Sequence, residues 1–457
     1  MTPVLHRCAP PYYGLPAAIL VLLLVWPAFA NQNDVAALAA RIDQHIAAAW
    51  DKDVKPATQA DDAEFFRRVH LDLTGRIPSI VEIRDFLDDP RPDKRRLWVE
   101  RILRAASDDP SYRDAYCNHF ANVWRSWLLT PTNRDASFQQ PALELWLRQR
   151  LKANVGYDQM VRNLLTQEPL LPNQRGGPDD GSASAFYSAN DLQPENLAAS
   201  TSRLFLGVKL ECAQCHAHPF AKWTREQFWE YAAFFADVPQ PNRPNQTGKP
   251  DPRDGIKIMG TEKVVKARFL DGTSPQWKDA KTRPILADWM TAADNPFFAR
   301  AAVNRLWVYF FGVGLVEQLD EPREGENANH RALLEELARA FVASKYDLKF
   351  LIRAIVASQT YQRTSAVSGT GQPDRKLFAR MSLRGLSPEQ LFDSLAVATE
   401  CSETAPVDPN DSFFGGMQSP RAQFLAKFPN QDQKIDYQMS ILQALYLMNN
   451  DFIAKQT

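Results

Sequence analysis

Two cysteines and a histidine form the group of residues with the clearest chemical potential. Cys212 and Cys215 are separated by two residues, and His216 follows directly. This spacing is typical of c-type haem attachment, in which two thiols add to the vinyl groups of haem and the adjacent imidazole binds the iron. The sequence therefore predicts covalently bound haem c, with Cys212 and Cys215 as thioether sites and His216 as the proximal ligand. His218 belongs to the same cofactor-binding cluster, but it is too close to His216 to bind the same iron easily.

Three other interpretations of this cluster stay open. Cys212 and Cys215 have the spacing of a local disulfide, which an oxidising compartment would favour. Together with His216 and His218 they also supply the donor types of a Zn site, although the sequence has no second C-x-x-C or H-x-x-x-H to complete one. A thioredoxin-like redox motif would need a βαβ context, and the surrounding sequence lacks that pattern.

A haem iron needs a second axial ligand, and the sequence offers several candidates. His119 lies on a Trp- and Phe-rich helical segment, so we take it as the first choice and as a metal ligand together with His216. His70 is the second choice. A lone histidine is more often structural, and a methionine on an apolar helical face is usually part of the core. The methionine candidates are Met417, Met439 and Met448.

The rest of the chain predicts no catalytic residues. It contains no G-x-S-x-G, H-E-x-x-H, Walker A or dinucleotide-binding motif, so the sequence leaves enzymatic activity undecided. Among its 457 residues, 53 Lys and Arg are balanced by 54 Asp and Glu. That balance argues against a nucleic-acid partner, since nucleic-acid-binding proteins usually carry an excess of basic residues.

Residues 1–30 have the pattern of a cleavable secretory signal. His6 and Arg7 form a short basic region, residues 15–25 form an apolar run, and residues 27–30 supply small side chains for cleavage. The apolar run is too short to span a bilayer. We therefore expect an exported, periplasmic or extracellular protein that is not held in a membrane after cleavage.

Apolar periodicity predicts a mainly α protein. Helical spacing recurs on both sides of a Pro-rich stretch that starts at Val238, and residues 256–270 are the best candidates for strands, arranged as one small β-hairpin. The sequence thus predicts two helical lobes joined by a Pro-rich linker and a hairpin. Three capping patterns mark helix starts, at Ser79, Thr224 and Ser387.

Several longer stretches are similar to known families. Residues 66–78 (FRRVHLDLTGRIP) and 212–220 (CAQCHAHPF) resemble the DUF1549 family, also called planctomycete cytochrome-C-like. Residues 295–307 (NPFFARAAVNRLW) and 384–391 (RGLSPEQL) resemble the companion family DUF1553, or PSD1. The resemblance implies a DUF1549-like domain over 31–237, a linker and hairpin over 238–282, and a DUF1553-like domain over 283–457.

The resemblance also implies a biological setting. Such proteins are exported from bacteria, and the family is named for its haem-like motif. Their neighbours are sulfatase-like DUF1501 proteins, which implies a partner in polysaccharide handling or a redox partner. The chain departs from the family at Asn329-His330-Arg331, where Ser-His-Pro is usual, and it ends at Thr457, where relatives continue. We therefore expect the DUF1553-like domain to lack a terminal helix.

The sequence leads to two expected functions. The leading expectation is an exported c-type haem protein that transfers electrons in a redox or polysaccharide-processing assembly. The alternative is a non-enzymatic exported binding or scaffold protein, in which the same Cys-His cluster is a disulfide or holds Zn.

Overall fold

The computed structural model describes most of the chain beyond the predicted signal. The described residues are 32–104, 112–129, 134–170, 181–217, 221–239, 252–277, 281–317, 319, 327–366, 374–400 and 420–427. The predicted signal, His218 and the three methionine candidates lie outside these residues, and so does the C-terminal end. Within the described part, no helix is both long and apolar enough to cross a membrane.

Helices dominate the structure, as the apolar periodicity predicts. Those of the first half are α1 Gln32–Ala48, α2 Asp62–Thr74, α3 Ile80–Leu87, α4 Lys94–Leu103, α5 Ala115–Leu128, α6 Arg134–Lys152, α7 Tyr157–Thr166, α8 Ser184–Ala189, α9 Pro194–Thr201 and α10 Arg225–Ala232. Those of the second half are α11 Thr282–Met290, α12 Phe298–Phe311, α13 Ala328–Ala343, α14 Leu348–Ala357, α15 Gln359–Gln362, α16 Pro388–Ala398 and α17 Pro420–Lys427.

Local sequence chemistry explains where three of these helices begin. Ser79, Thr224 and Ser387 each accept a hydrogen bond from the third backbone N–H of the helix that follows, and the side chain of that third residue binds back to the cap. Each capping box satisfies two backbone donors that would otherwise lack a helical partner. The three predicted helix starts are confirmed.

The predicted hairpin is present and very short. Strand β1, Ile256–Lys257, pairs antiparallel with β2, Val264–Val265. Ile256 faces Val265 and Lys257 faces Val264. Val265 is buried against the helices, whereas Val264 faces solvent, so the hairpin rests on the body through one face only. The mainly α class with one small hairpin is confirmed for the described residues.

The two helical segments share one hydrophobic core. One large cluster of buried side chains runs from Leu38 in α1 to Met381, and α1 packs directly on α13 and α14. A second, small cluster joins Phe392 of α16 to Phe424 of α17. Backbone hydrogen bonds also join the segments, from Ala60 N to Gln362 O at 2.8 Å and from Thr364 N to Thr58 O at 2.9 Å. The segments on either side of the Pro-rich stretch therefore depend on each other for burial of their apolar faces.

Candidate functional site

The segment that leads into the cysteines ends in an unusual helix. After α9, residues Ser202–Leu206 form a π-helix that stops at Gly207, whose φ of 67° lies in the left-handed region. Glycine adopts that conformation without the steric cost of a Cβ. From the second half of the chain, Arg305 Nη2 donates to the carbonyl oxygens of Arg203 and Leu204, both at 3.1 Å. The approach to the cysteines is thus held by α12.

The Cys-His motif lies on a short turn whose backbone is anchored. We call residues 211–217 the Cys-His turn; it begins with the 3-10 helix Glu211–Gln214. Ala213 is fully buried beneath it. The carbonyl oxygen of Gln214 accepts hydrogen bonds from Trp229 Nε1 at 3.1 Å and Arg225 Nε at 3.3 Å, both on α10. Burial and these two bonds fix the backbone of the turn against α10.

The side chains of the motif point the other way, toward solvent. Cys212 and Cys215 are exposed free thiols, and His216 is exposed as well. The thiols are therefore accessible for covalent attachment to a group that approaches from outside. Among the described residues no packed protein surface covers the exposed His216 ring. A flat apolar cavity of haem size facing that ring, the feature that would separate haem from the alternatives, stays a prediction.

The hydrogen bond of His216 determines which ring nitrogen can bind a metal. Its Nδ1 lies 2.7 Å from the carbonyl oxygen of Ala217. Because a carbonyl oxygen only accepts, Nδ1 must carry the proton, and the lone pair of the neutral ring is then on Nε2. A second-shell bond of this kind commonly orients a metal-binding imidazole. Two accessible thiols and an oriented Nε2 form a donor set that fits c-type haem.

Among the described residues, the structure adds no further ligand for the Zn interpretation. Cys212 and Cys215 are not joined by a disulfide in it. Among the described residues, no three His, Cys, Asp or Glu side chains come together as a metal site. His218, the remaining candidate ligand of the cluster, lies outside the described residues, so its role stays a prediction.

His119, the first candidate for the second axial ligand, lies in the interior on α5. It is 7% exposed, and its Nε2 lies 2.7 Å from Tyr309 Oη. That hydroxyl donates its own proton to the Asp72 carbonyl oxygen at 2.6 Å, so the imidazole Nε2 is the donor to Tyr309. Gly75 makes room for the ring, since a Cβ there would come within 2.3 Å of His119 Nδ1. Coordination of iron through Nε2 would have to break this hydrogen bond.

His70, the second candidate, is fully buried on α2 and has both ring nitrogens engaged. Nδ1 donates to the Phe66 carbonyl oxygen at 3.1 Å, and Nε2 accepts from Tyr112 Oη at 2.9 Å. Burial, which penalises the charged ring, lowers the pKa of His70 to about 4. These contacts describe a neutral structural histidine.

A group of polar residues, buried except for the partly buried Arg384, joins the two halves of the chain. Arg384 Nη2 lies 2.7 and 2.9 Å from the carboxylate oxygens of Asp72, and Tyr361 Oη donates to the same carboxylate at 2.8 Å. We call Asp72, His119, Tyr309, Tyr361 and Arg384 the buried polar junction. It brings the stretch 66–78 into contact with the stretch 384–391.

The contacts of the junction were not predicted from the sequence. Both stretches were distinctive as motifs, but no local periodicity or spacing indicates that residues 312 positions apart form an ion pair. Burial and the Asp72 carboxylate raise the pKa of Tyr361 well above its usual value, so this hydroxyl stays a donor. The junction thus acts as a structural connection in which the named side chains satisfy one another.

Comparisons with known proteins are consistent with the sequence motifs. Residues 41–240 match the family PSCyt2, described as a protein of unknown function (DUF1549), and residues 282–457 match PSD1, described as a protein of unknown function (DUF1553). Neither the comparison with curated proteins nor that with solved structures found a match. The two matched segments cover most of the chain: residues 41–240 belong to the DUF1549 family and residues 282–457 to the DUF1553 family.

Proposed function

We propose that this protein is an exported c-type haem-binding protein that transfers single electrons. One observation carries the proposal: Cys212, Cys215 and His216 present two accessible thiols and an oriented imidazole on one anchored turn. The cytochrome-c-like name of the matched family supports it in a general way.

Haem attachment requires two thiols and one imidazole from the protein. Each thiol of Cys212 and Cys215 would add across a vinyl group, forming a carbon–sulfur bond while the thiol proton is transferred to the other vinyl carbon. His216 Nε2 would bind the iron on one side. When bound, haem supplies a one-electron redox couple whose potential depends on the axial ligands and on solvent exposure.

The proposal includes export from the cytoplasm and binding to a partner protein. Haem attachment to cysteines is expected outside the cytoplasm, which agrees with the signal pattern of residues 1–30. The proposed setting is a redox or polysaccharide-processing assembly that includes a redox partner or a sulfatase-like DUF1501 protein. These partners rest on the family resemblance alone.

The decisive experiment is expression of the full chain in a host with working haem-c maturation and export. We expect a sharp Soret absorption band and an intact mass raised by one haem that resists denaturation. The double variant Cys212→Ala/Cys215→Ala should lose both signals. Cys117→Ala is the matched control: burial raises the pKa of the Cys117 thiol to about 11, and its removal should leave haem attachment unchanged.

A different outcome would overturn the proposal. A colourless wild-type protein at the mass of the apoprotein, from a host that matures a reference cytochrome, would exclude covalent haem. Bound zinc or a Cys212–Cys215 disulfide in that sample would then support the scaffold or binding function.

A further inference from the structure

The hairpin beside the Cys-His turn exposes apolar side chains. Met259, in the loop between β1 and β2, is 51% exposed, and Val264 on β2 is 56% exposed. The loop itself is ordered by backbone hydrogen bonds, from Ile258 N to Lys263 O at 2.9 Å and from Thr261 N to Ile258 O at 3.0 Å. A defined loop therefore presents a thioether and a branched apolar side chain to solvent.

One guanidinium connects this loop to the Cys-His turn. Arg225 donates through Nε to the Gln214 carbonyl oxygen at 3.3 Å and through Nη2 to the Met259 carbonyl oxygen at 2.5 Å. Gln214 directly precedes Cys215. The backbones of Met259 and of the cysteine motif are thus separated by a single planar side chain.

A second contact holds the hairpin in place. Lys263 Nζ lies 2.7 Å from Glu226 Oε2 on α10, and α10 is the helix that also anchors the Cys-His turn. Val265, on the opposite face of β2 from Val264, is 5% exposed and fixes the strand to the core. The turn and the hairpin are therefore both held by α10, and their backbones approach each other at Arg225.

We propose that Met259 is the second axial ligand of the haem iron. This inference rests on the proposed haem function. A thioether is a good ligand for haem iron, and a methionine beside histidine raises its reduction potential. Met259 is accessible near the motif, whereas His119 and His70 are engaged in buried hydrogen bonds.

The test compares haem-loaded wild-type protein with Met259→Leu and Met259→His. Leucine keeps a similar volume without the sulfur donor. We expect it to abolish the far-red charge-transfer band of methionine-ligated ferric haem, to lower the reduction potential and to let carbon monoxide bind the ferrous iron readily. Histidine should restore a six-coordinate low-spin spectrum at a potential below that of the wild type.

The controls separate this inference from the proposed function. Leu383→Ala removes another strongly exposed apolar side chain, 74% exposed, and should leave spectrum and potential unchanged. Covalent haem with a wild-type spectrum and potential in Met259→Leu would overturn the Met259 assignment while haem binding stands. A wild-type chain without haem would overturn both, and the intact mass distinguishes these cases.

Discussion

The buried polar junction and the Cys-His turn use the same kinds of side chain in opposite ways. In the junction, Asp72 and His119 are buried, and their polar atoms bind partners from the other half of the chain. In the turn, the backbone is anchored through Gln214, while Cys215 and His216 face solvent. The comparison indicates that burial with satisfied hydrogen bonds marks residues that hold the fold together. Exposed reactive groups on a fixed backbone mark residues available for chemistry.

The largest effect should come from breaking the ion pair of the junction. Arg384→Met leaves the Asp72 carboxylate, in a residue only 3% exposed, without its cation. Removing one partner of a buried pair typically costs about 3–5 kcal/mol, because the remaining charge is uncompensated. Urea denaturation should show this as a lower free energy of unfolding.

The control for that variant is an exposed pair. Arg96→Met disrupts the surface contact between Arg96 and Asp93, whose side chains are each nearly half exposed, and should cost about 0.5 kcal/mol or less. Equal losses in Arg384→Met and Arg96→Met would show that the junction does not hold the two halves together.

A slightly smaller effect should appear as a pH dependence of stability. The pKa of His70 is lowered to about 4 by burial, against an ordinary value of 6.5. Between these values the unfolded chain binds a proton that the folded chain does not, so stability is complete above pH 6.5 and declines as the pH falls toward 4. At pH 5 this one group should lower the free energy of unfolding by about 2 kcal/mol.

Chemical denaturation at pH 7 and pH 5 measures this dependence. His330, which is 4% exposed and whose pKa burial also lowers to about 4, should contribute in the same direction. His70→Gln lacks the titrating group, so its stability should change less between the two pH values than that of the wild type. An equally steep dependence in His70→Gln would assign the effect to other groups.

A third comparison separates the roles of two histidines. His119→Phe keeps an aromatic ring but removes the donor to Tyr309, which should cost about 1–2 kcal/mol. It should leave the haem spectrum unchanged. His216→Ala should do the reverse: it should change stability by about 0.5 kcal/mol or less, since the side chain is exposed, while altering the iron coordination.

Absorption spectra and urea denaturation of His119→Phe and His216→Ala test these expected differences in iron coordination and stability. A high-spin spectrum in His119→Phe would make His119 the axial ligand and contradict the division between buried structural and exposed reactive histidines.

The sequence predicts local features well, because local features depend on neighbouring residues. The capping boxes at Ser79, Thr224 and Ser387 and the hairpin near Ile256 follow from turn chemistry and periodicity alone. The contact between Asp72 and Arg384 does not, since no sequence signal specifies which buried polar groups meet across a shared core.

The axial-ligand candidates also show that sequence patterns do not specify contacts between distant residues. The Trp- and Phe-rich surroundings of His119 indicated a cofactor environment, but in the structure those aromatic residues belong to the protein core. Met259 went unnoticed because its proximity to the cysteines depends on Arg225, a contact that spans 34 residues. Its role as a ligand stays a prediction.

The smallest expected effect concerns the anchoring of the Cys-His turn. Trp229→Phe removes one of the two hydrogen bonds to the Gln214 carbonyl oxygen and should cost about 1 kcal/mol. We expect amide hydrogen exchange at Ala213, whose N–H donates to the Leu210 carbonyl oxygen, to become about fivefold faster. Trp289→Phe loses a similar bond, to Asp271, and should leave Ala213 exchange unchanged. Unchanged exchange in Trp229→Phe would instead show that Arg225 and the burial of Ala213 suffice to hold the turn.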